Sequence, residues 1–297
     1  MSQNATRPRL ACEITPDGVI AARASDKMSR VEVFTNRRLA PGTLAPGLNS
    51  PNVLDGKGLR TAISGALAAV SGKSRDVIVI VPDVAIRVLL LDFEALPSKI
   101  DEADPIIRFR LKKSLPFDVE QAILSYEVAR SNGAVRVVAA ISPRSVVEEY
   151  EAAFRDVGYS PGAVLPSSLA ALGLVDGQRP TLMLKVDATN ITITAVEHQE
   201  LRLIRTLDNS HAASVSAVEL AEAVLPSIVF FEDTFGAKIE KIYIGGIAPL
   251  QEVVPLLHQH TGAQVQELSP ELSPEQNLSG ESIRASAMAG IVGALLG

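Results

Sequence analysis

Residue types that support several common functions are scarce in this 297-residue chain. The single cysteine, Cys12, excludes a disulfide framework and a cysteine-based zinc site, and it fits a reducing cytoplasm. Tryptophan is absent and aromatic residues make up only 4%, so stacking platforms for single-stranded nucleic acid or sugars are not expected. The four histidines form no pattern that predicts a metal site or a catalytic triad.

Charge and hydropathy exclude two further classes. The net charge of −6 provides no basic face for broad nucleic-acid binding. The longest apolar stretch, residues 77–91, is broken by Pro82, Asp83 and Arg87 and cannot span a bilayer, and the N-terminus lacks the apolar core of a signal peptide. With 47% hydrophobic and 21% charged residues, we expect a soluble cytoplasmic α/β protein of about two domains.

A pattern of three consecutive strands occurs twice, roughly half a chain apart. Alternating and apolar runs predict strands at residues 9–13, 19–24 and 31–34, and again at 181–186, 190–196 and 200–205. The run TLMLKV at 181–186 is almost wholly apolar, which is typical of a central strand buried on both faces. Each copy places one carboxylate, Glu13 or Asp187, at the end of its first strand.

Residues 82–158 have a different pattern of apolar and polar residues from the preceding chain. This pattern predicts a compact β-α-β-β-α module. We expect strands at 85–92, 122–129 and 135–141, a helix capped by Asp104 with Pro105 at its first position, and a second helix at 143–157. We expect the cluster Arg108–Lys113 to be a solvated face that complements the helix dipole, and contact with acidic lipid or a partner is the alternative.

The remaining chain alternates helices and short strands. Helices are predicted at 59–70, 167–174, 215–235, 250–258 and 283–296, and strands at 77–81, 242–244 and around Val265, with a tight turn at Gly245-Gly246. Pro226 is expected to kink or split the helix at 215–235.

The duplicated β-β-β-α unit with its two carboxylates and late aliphatic-Gly-Gly turn resembles the actin-like (ribonuclease H-like) ATPase superfold. Three segments narrow the resemblance to the type IV pilus assembly protein PilM family, which is related to FtsA. They are PDVAIRVLLLDFEALP, RFRLKKSLPFDVEQAILSYEV and VVAAISPRSVVEEYEAAFRDVGYSPGAVLPSSLAAL, with Leu96-Pro97, Leu115-Pro116-Phe117, Tyr126, Gly158 and Pro161 at the family's positions.

This resemblance, which covers most of residues 9–297, implies three units. Residues 1–81, 159–178 and 281–297 would form a first lobe, 82–158 an inserted subdomain, and 179–280 a reduced second lobe.

The resemblance also locates a nucleotide site in which the expected glycines are replaced. Thr15 and Thr189 stand where the family's phosphate loops carry glycine after Glu13 and Asp187, and Gly245-Gly246 would form the adenosine turn. Glycine permits close backbone approach to phosphate, whereas threonine is stiff and bulky. We therefore expect ATP and Mg²⁺ to bind weakly or not at all, Glu13 and Asp187 to be solvated strand-end carboxylates, and no residue to be catalytic or to ligate a metal.

By the same resemblance we expect a non-enzymatic cytoplasmic scaffold, peripheral at the inner membrane, that binds the cytoplasmic tail of a PilN-like membrane protein through residues 82–158. Self-association is left open. The alternatives are an active actin-like ATPase with nucleotide-gated partner binding and a cytoplasmic platform of type II secretion. A small-molecule kinase of the same superfold would need a catalytic Asp and a sugar pocket that the sequence does not reveal.

Overall fold

The computed structural model describes residues 7–70, 72–131, 134–208 and 215–297. Residues 1–6 and 71 of the predicted first lobe, 132–133 of the insertion and 209–214 of the second lobe lie outside the described residues. The strands are β1 (Leu10–Thr15), β2 (Gly18–Ala24), β3 (Val31–Arg38), β4 (Asp76–Val81), β5 (Arg87–Phe93), β6 (Ala122–Ser131), β7 (Ala134–Pro143), β8 (Ser160–Pro166), β9 (Thr181–Val186), β10 (Asn190–Glu197), β11 (Glu200–Asp208), β12 (Lys241–Gly246) and β13 (Gln264–Glu267). The helices are α1 (Gly56–Val70), α2 (Ile100–Leu111), α3 (Arg144–Arg155), α4 (Ser167–Ala171), α5 (Ala217–Phe235), α6 (Leu250–Thr261) and α7 (Ala289–Leu296).

Two five-stranded sheets share one topology, which confirms the predicted duplication. Their orders are β3-β2-β1-β4-β8 and β11-β10-β9-β12-β13. In each sheet the first three strands form an antiparallel meander, and two further strands then join parallel to the first. The predicted central position of the strand at 181–186 is confirmed.

Successive side chains along β1 and β9 point to opposite faces of their sheets. One face of each sheet packs on a core of its own, and the other faces the junction between the two sheets. Leu10, Cys12 and Ile14 pack on one side with α1 and α3. Leu182, Leu184 and Val186 likewise pack with α5 and α6, and each such buried aliphatic side chain contributes roughly 1.5–3 kcal/mol. The intervening residues face α4 and α7, which lie between the two sheets.

The module at 82–158 has the predicted order β5, α2, β6, β7, α3. Its strands form a third sheet, ordered β5-β7-β6, and α2 buries Ile107 and Leu111 against it. The hydrophobic faces of α2 and of this sheet therefore make a separate small core.

The predicted start of the helix in this module is wrong. α2 begins at Ile100, so Asp104 and Pro105 lie inside it rather than at its N-terminus. Asp101 and Glu102 occupy the first turn, where the helix dipole favours carboxylates. Asp104 does not cap the helix but accepts a 2.6 Å hydrogen bond from Arg108 Nε one turn later.

Proline and glycine account for the other differences. β8 is a strand that the sequence did not predict, because Pro161, Gly162 and Pro166 interrupt its pattern; an edge strand tolerates proline. α5 continues as one helix through Pro226 and is not split there. The Gly245-Gly246 pair ends β12 instead of forming a separate tight turn.

Two C-terminal segments also differ from expectation. The final helix begins at Ala289, after a short 3-10 helix at Ala285–Met288, rather than at residue 283. Gln276 to Leu278, which fall in the proposed second lobe, contact β3 of the first sheet through Gln276 Nε2 to Val31 O (2.6 Å) and Leu278 N to Phe34 O (2.8 Å). Among the described residues, none of the helices combines the length and apolar character needed to cross a bilayer.

Gly246→Ala is expected to destabilise the fold by about 2–4 kcal/mol, because Gly246 has φ +84° and an added Cβ would lie 2.0 Å from Val186 O. Gly262→Ala is the matched control, since Gly262 also has a left-handed φ (+71°) but meets nothing within 4 Å. Urea unfolding should give the control a loss of only about 1–2 kcal/mol. Equal losses in the two variants would show that close approach to β9 is unimportant.

Candidate functional site

A buried cluster of charged side chains lies at the junction of the two lobes. Lys185 of β9 places its ammonium 2.5 Å from Asp187 Oδ1 and 3.9 Å from Glu13 Oε1 of β1. Lys185 and Glu13 are only 3% and 1% exposed. The contact between Lys185 and Glu13 therefore joins the central strands of the two sheets through a region shielded from water.

Glu13 and Lys185 occupy equivalent positions in the two repeats. The first hairpin closes at the Thr15–Gly18 pair, and the second closes where Asp187 N donates to Asn190 O at 2.9 Å. Glu13 and Lys185 each lie two residues before that closing position. The sequence pattern paired Glu13 with Asp187 instead, because both are carboxylates near the end of a strand. Their distances from the hairpin turn differ by two residues.

The predicted solvation of Glu13 is wrong. Its Oε1 accepts a hydrogen bond from the Ser167 hydroxyl of α4, and its Oε2 has no hydrogen-bond partner among the described residues. Gly290 of α7 packs against the carboxylate so closely that an added Cβ would lie 2.8 Å from Oε2. Burial raises the pKa of Glu13 to about 7, although Lys185 and the Ser167 hydrogen bond act to lower it.

A further buried carboxylate, Asp83, follows β4 and was not predicted as a site residue. The Ser168 amide at the start of α4 donates to its Oδ1 at 2.8 Å, and the Ser168 hydroxyl donates to Oδ2. Burial raises the pKa of Asp83, Lys185 opposes this increase, and the nearby Asp187 carboxylate adds to it.

Lys185 is held in its charged form despite its burial. Burial alone lowers the pKa of the amine, but Asp187, Glu13 and Asp83 together raise it above its ordinary value. Of these partners, Asp187 makes the short contact, and its side chain remains 17% exposed. Lys185 is therefore the cation that balances acidic groups from both lobes.

A cavity of about 180 Å³ opens beside this cluster. It is lined by five of the six predicted nucleotide residues, namely Glu13, Thr15, Asp187, Thr189 and Gly246. Gly245 is not among the lining residues, and an added Cβ there would meet only ordinary contacts, at 3.7 Å and beyond. The structure thus brings together most of the residues that the resemblance assigned to one site.

Polar groups of the two hairpin turns bond to one another within each turn. The Thr15 hydroxyl accepts from Gly18 N at 3.1 Å and lies 3.2 Å from Gly18 O, and Pro16 has no N–H to offer. Thr189 Oγ1 lies 3.4 Å from Asn190 Oδ1. The Gly18 backbone amide of the first turn therefore donates to the Thr15 side chain of the same turn. It is not free to bind phosphate, as backbone amides commonly do.

Sequence reasoning missed Lys185, although a signal was present. One charged residue in a strand that is otherwise apolar on both faces requires a buried counter-ion. That requirement would have pointed to the carboxylates of the opposite lobe. Among the described residues, no group of three or more His, Cys, Asp or Glu side chains is placed to hold a metal ion.

A second candidate site is a groove of about 490 Å³ between the insertion and the second lobe. Its floor is apolar and includes Val138 of β7, Leu172 and Leu201, while Glu127, Arg136 and Glu200 provide charge. Arg136 Nε donates to Asp92 at 2.9 Å, and its Nη1 is buried without a partner among the described residues. An apolar floor bordered by charged side chains is typical of a site for a peptide.

The fold has relatives among solved structures. A chain of a PilM–PilN type IV pilus biogenesis complex matches with a TM-score of 0.81 at 18% identity, over 97% of this chain and 98% of that chain. The cytoplasmic domain of EpsL, an inner membrane component of the type II secretion system of Vibrio cholerae, matches with a TM-score of 0.56 at 13% identity, over 97% and 94%. A Bacteroides thetaiotaomicron protein with an actin-like ATPase fold matches with a TM-score of 0.53 at 11% identity, over 87% and 89%.

No protein-family model and no curated protein matches the sequence. The structural matches show that the chain has an actin-like ATPase fold with duplicated lobes, as expected. Within that class it has the fold found in the PilM–PilN complex over nearly its whole length. The fold implied by the resemblance to the PilM family is therefore confirmed.

Glu13→Gln is expected to change how stability depends on pH. The folded-state pKa of about 7 lies above the ordinary value of 4.5, so the native state binds more protons in that interval and wild-type stability falls as pH rises through it. The variant cannot titrate at this position, so its free energy of unfolding should rise relative to wild type by up to about 3 kcal/mol over the same interval.

Urea unfolding across this pH range measures the difference. The control is Glu271→Gln, which removes an exposed carboxylate outside the cluster. If the Glu13→Gln and wild-type curves run parallel, the carboxylate is not held protonated by burial.

Proposed function

We propose that the protein is a non-catalytic scaffold of a type IV pilus or related secretion platform at the inner membrane. It would bind the cytoplasmic tail of a PilN-like membrane protein and would be cytoplasmic, associating with the membrane through that partner. The fold shared with the PilM–PilN complex and with the EpsL cytoplasmic domain supports this class of role.

The observation that carries the non-catalytic part is the position of Lys185. A triphosphate site in this cleft needs room and positive charge between the two hairpins, usually supplied by Mg²⁺. Here the Lys185 ammonium lies 2.5 Å from Asp187 and 3.9 Å from Glu13, so carboxylates already neutralise its charge and it is not available to a phosphate.

The first hairpin fits a phosphate poorly as well. Gly18 N donates to the Thr15 hydroxyl, and Pro16 lacks a donor, so two of the turn's backbone positions cannot bind an anion. We therefore propose that nucleotide binds weakly or not at all, and that the lobes are joined without it.

For the partner we propose the groove at Val138, Leu172 and Leu201, since it lies beside the insertion and combines an apolar floor with charged side chains. An extended peptide would place alternate apolar side chains on that floor and its polar groups beside the charged residues at the groove. The EpsL match supports a type II secretion platform as a second candidate, which would use a different membrane protein.

Titration calorimetry with Mg-ATP tests the nucleotide proposal. We expect no saturable heat at low-micromolar concentrations, because Asp187 holds the Lys185 ammonium and Thr15 holds the Gly18 amide, so neither group is free to bind phosphate. Mg-ADP and Mg-GTP serve as specificity controls. A low-micromolar dissociation constant for Mg-ATP would contradict the proposal and favour the actin-like ATPase alternative.

Fluorescence anisotropy with a labelled tail peptide tests the partner proposal. The peptide is the cytoplasmic tail of a PilN-like membrane protein, and a scrambled peptide is the control. Binding should occur without nucleotide, and Val138→Lys should weaken it at least about tenfold, because a charged side chain would enter the groove.

Phe109→Ser, which changes an exposed residue outside the groove, should leave peptide affinity unchanged. If the wild-type chain does not bind the peptide, the partner proposal is contradicted. If both variants weaken peptide binding equally, this groove is excluded as the binding site.

A further inference from the structure

The solvent-facing side of α2 exposes unusually large apolar residues. Phe109 is 75% exposed and Ile106 is 40% exposed, although the opposite side of the same helix buries Ile107 and Leu111. A phenylalanine that protrudes this far occupies no groove of its own chain. Exposed apolar residues that occur singly are ordinary, whereas adjacent ones such as Ile106 and Phe109 form a patch of the kind found at interaction sites.

Three cations border this apolar pair. Arg110, Lys112 and Lys113 are exposed and, within the described residues, form no ion pair. Helical spacing places Ile106, Phe109 and Arg110 within an arc of about 100°, and Lys112 and Lys113 follow directly after the end of α2 at Leu111. We call Ile106, Phe109, Arg110, Lys112 and Lys113 the α2 patch.

The α2 patch differs from the solvated basic face that the sequence predicted. Arg108 is set apart from it, since Arg108 binds Asp104 at 2.6 Å and the carbonyl of Ala122 at 3.2 Å. The nearest acidic residue one turn earlier on that side, Glu102, is paired with Lys99 at 3.3 Å. The unpaired charge at this end of the helix is therefore positive, in a chain whose net charge is −6.

We infer that the α2 patch contacts the anionic lipid surface of a membrane. A protruding ring beside free cations suits an interface, where the ring enters the headgroup boundary and the cations attract acidic lipids. A groove-binding acidic peptide would need a concave site, and Phe109 protrudes instead. This inference requires neither nucleotide nor a membrane-protein tail, so it stands apart from the proposed function.

Co-sedimentation of the whole chain with lipid vesicles tests the inference. We expect binding to phosphatidylcholine vesicles that contain about 30% phosphatidylglycerol, no binding to phosphatidylcholine alone, and loss of binding at about 0.5 M salt. Phe109→Ser should lower the partition coefficient about tenfold. The triple variant Arg110→Gln, Lys112→Gln, Lys113→Gln should lower it about a hundredfold.

Matched controls remove the same groups elsewhere. Phe230→Ser changes another phenylalanine, 54% exposed on α5 and close to Glu232 and Asp233. A second triple variant, Lys27→Gln, Arg30→Gln, Lys57→Gln, removes three exposed cations outside α2. We expect both controls to stay within about twofold of wild type, because exposed substitutions away from the patch leave the fold unchanged.

Three results would overturn the inference. They are absence of binding to the anionic vesicles, equal binding to neutral and anionic vesicles, and losses in the control variants as large as those in the patch variants.

Discussion

The buried ammonium of Lys185 is the interaction on which the junction of the two lobes depends. It lies 2.5 Å from Asp187 and 3.9 Å from Glu13, in a region that also contains the buried Asp83. Taking carboxylates out of water is strongly unfavourable unless a cation and hydrogen bonds accompany them. Removing one partner from such a buried group typically costs about 3–5 kcal/mol, whereas an exposed pair contributes little.

The duplication explains why this lysine meets Glu13. Because both sheets have the same strand order, the central strands β1 and β9 meet across α4 and α7 and present equivalent positions to each other. A carboxylate at that position in one repeat and an ammonium in the other form a complementary pair. This arrangement supports the proposal that the cleft of an actin-like fold has become a structural joint, while binding of partners takes place on the insertion and at its edges.

Much of the fold was predictable from periodicity. The two meanders, the central position of the strand at 181–186 and the element order of the insertion all follow from hydrophobic patterns that tertiary structure did not override. Errors occurred where proline was read as a boundary. Pro105 lies within α2, and Pro161 lies within β8, an edge strand that tolerates the missing N–H.

The candidate site was predicted less completely, because burial of a charge depends on contacts distant in sequence. Five predicted residues line the cavity, yet Glu13 was expected to be solvated, and Lys185, Asp83 and Ser167 were not singled out. Ser167 lies 154 positions from the carboxylate that it binds, and no local pattern reports such a pair. The strand TLMLKV did contain the necessary signal, as its lone charge had no neighbour within the strand to balance it.

A crystal structure determined with excess Mg-ATP tests the central claim most directly, because it shows which cation lies between the lobes. The account predicts that Lys185 stays bonded to Asp187 and faces Glu13, with no nucleotide between the two hairpins. An ordered triphosphate and metal in that position, with the lysine displaced toward the phosphates, would contradict it.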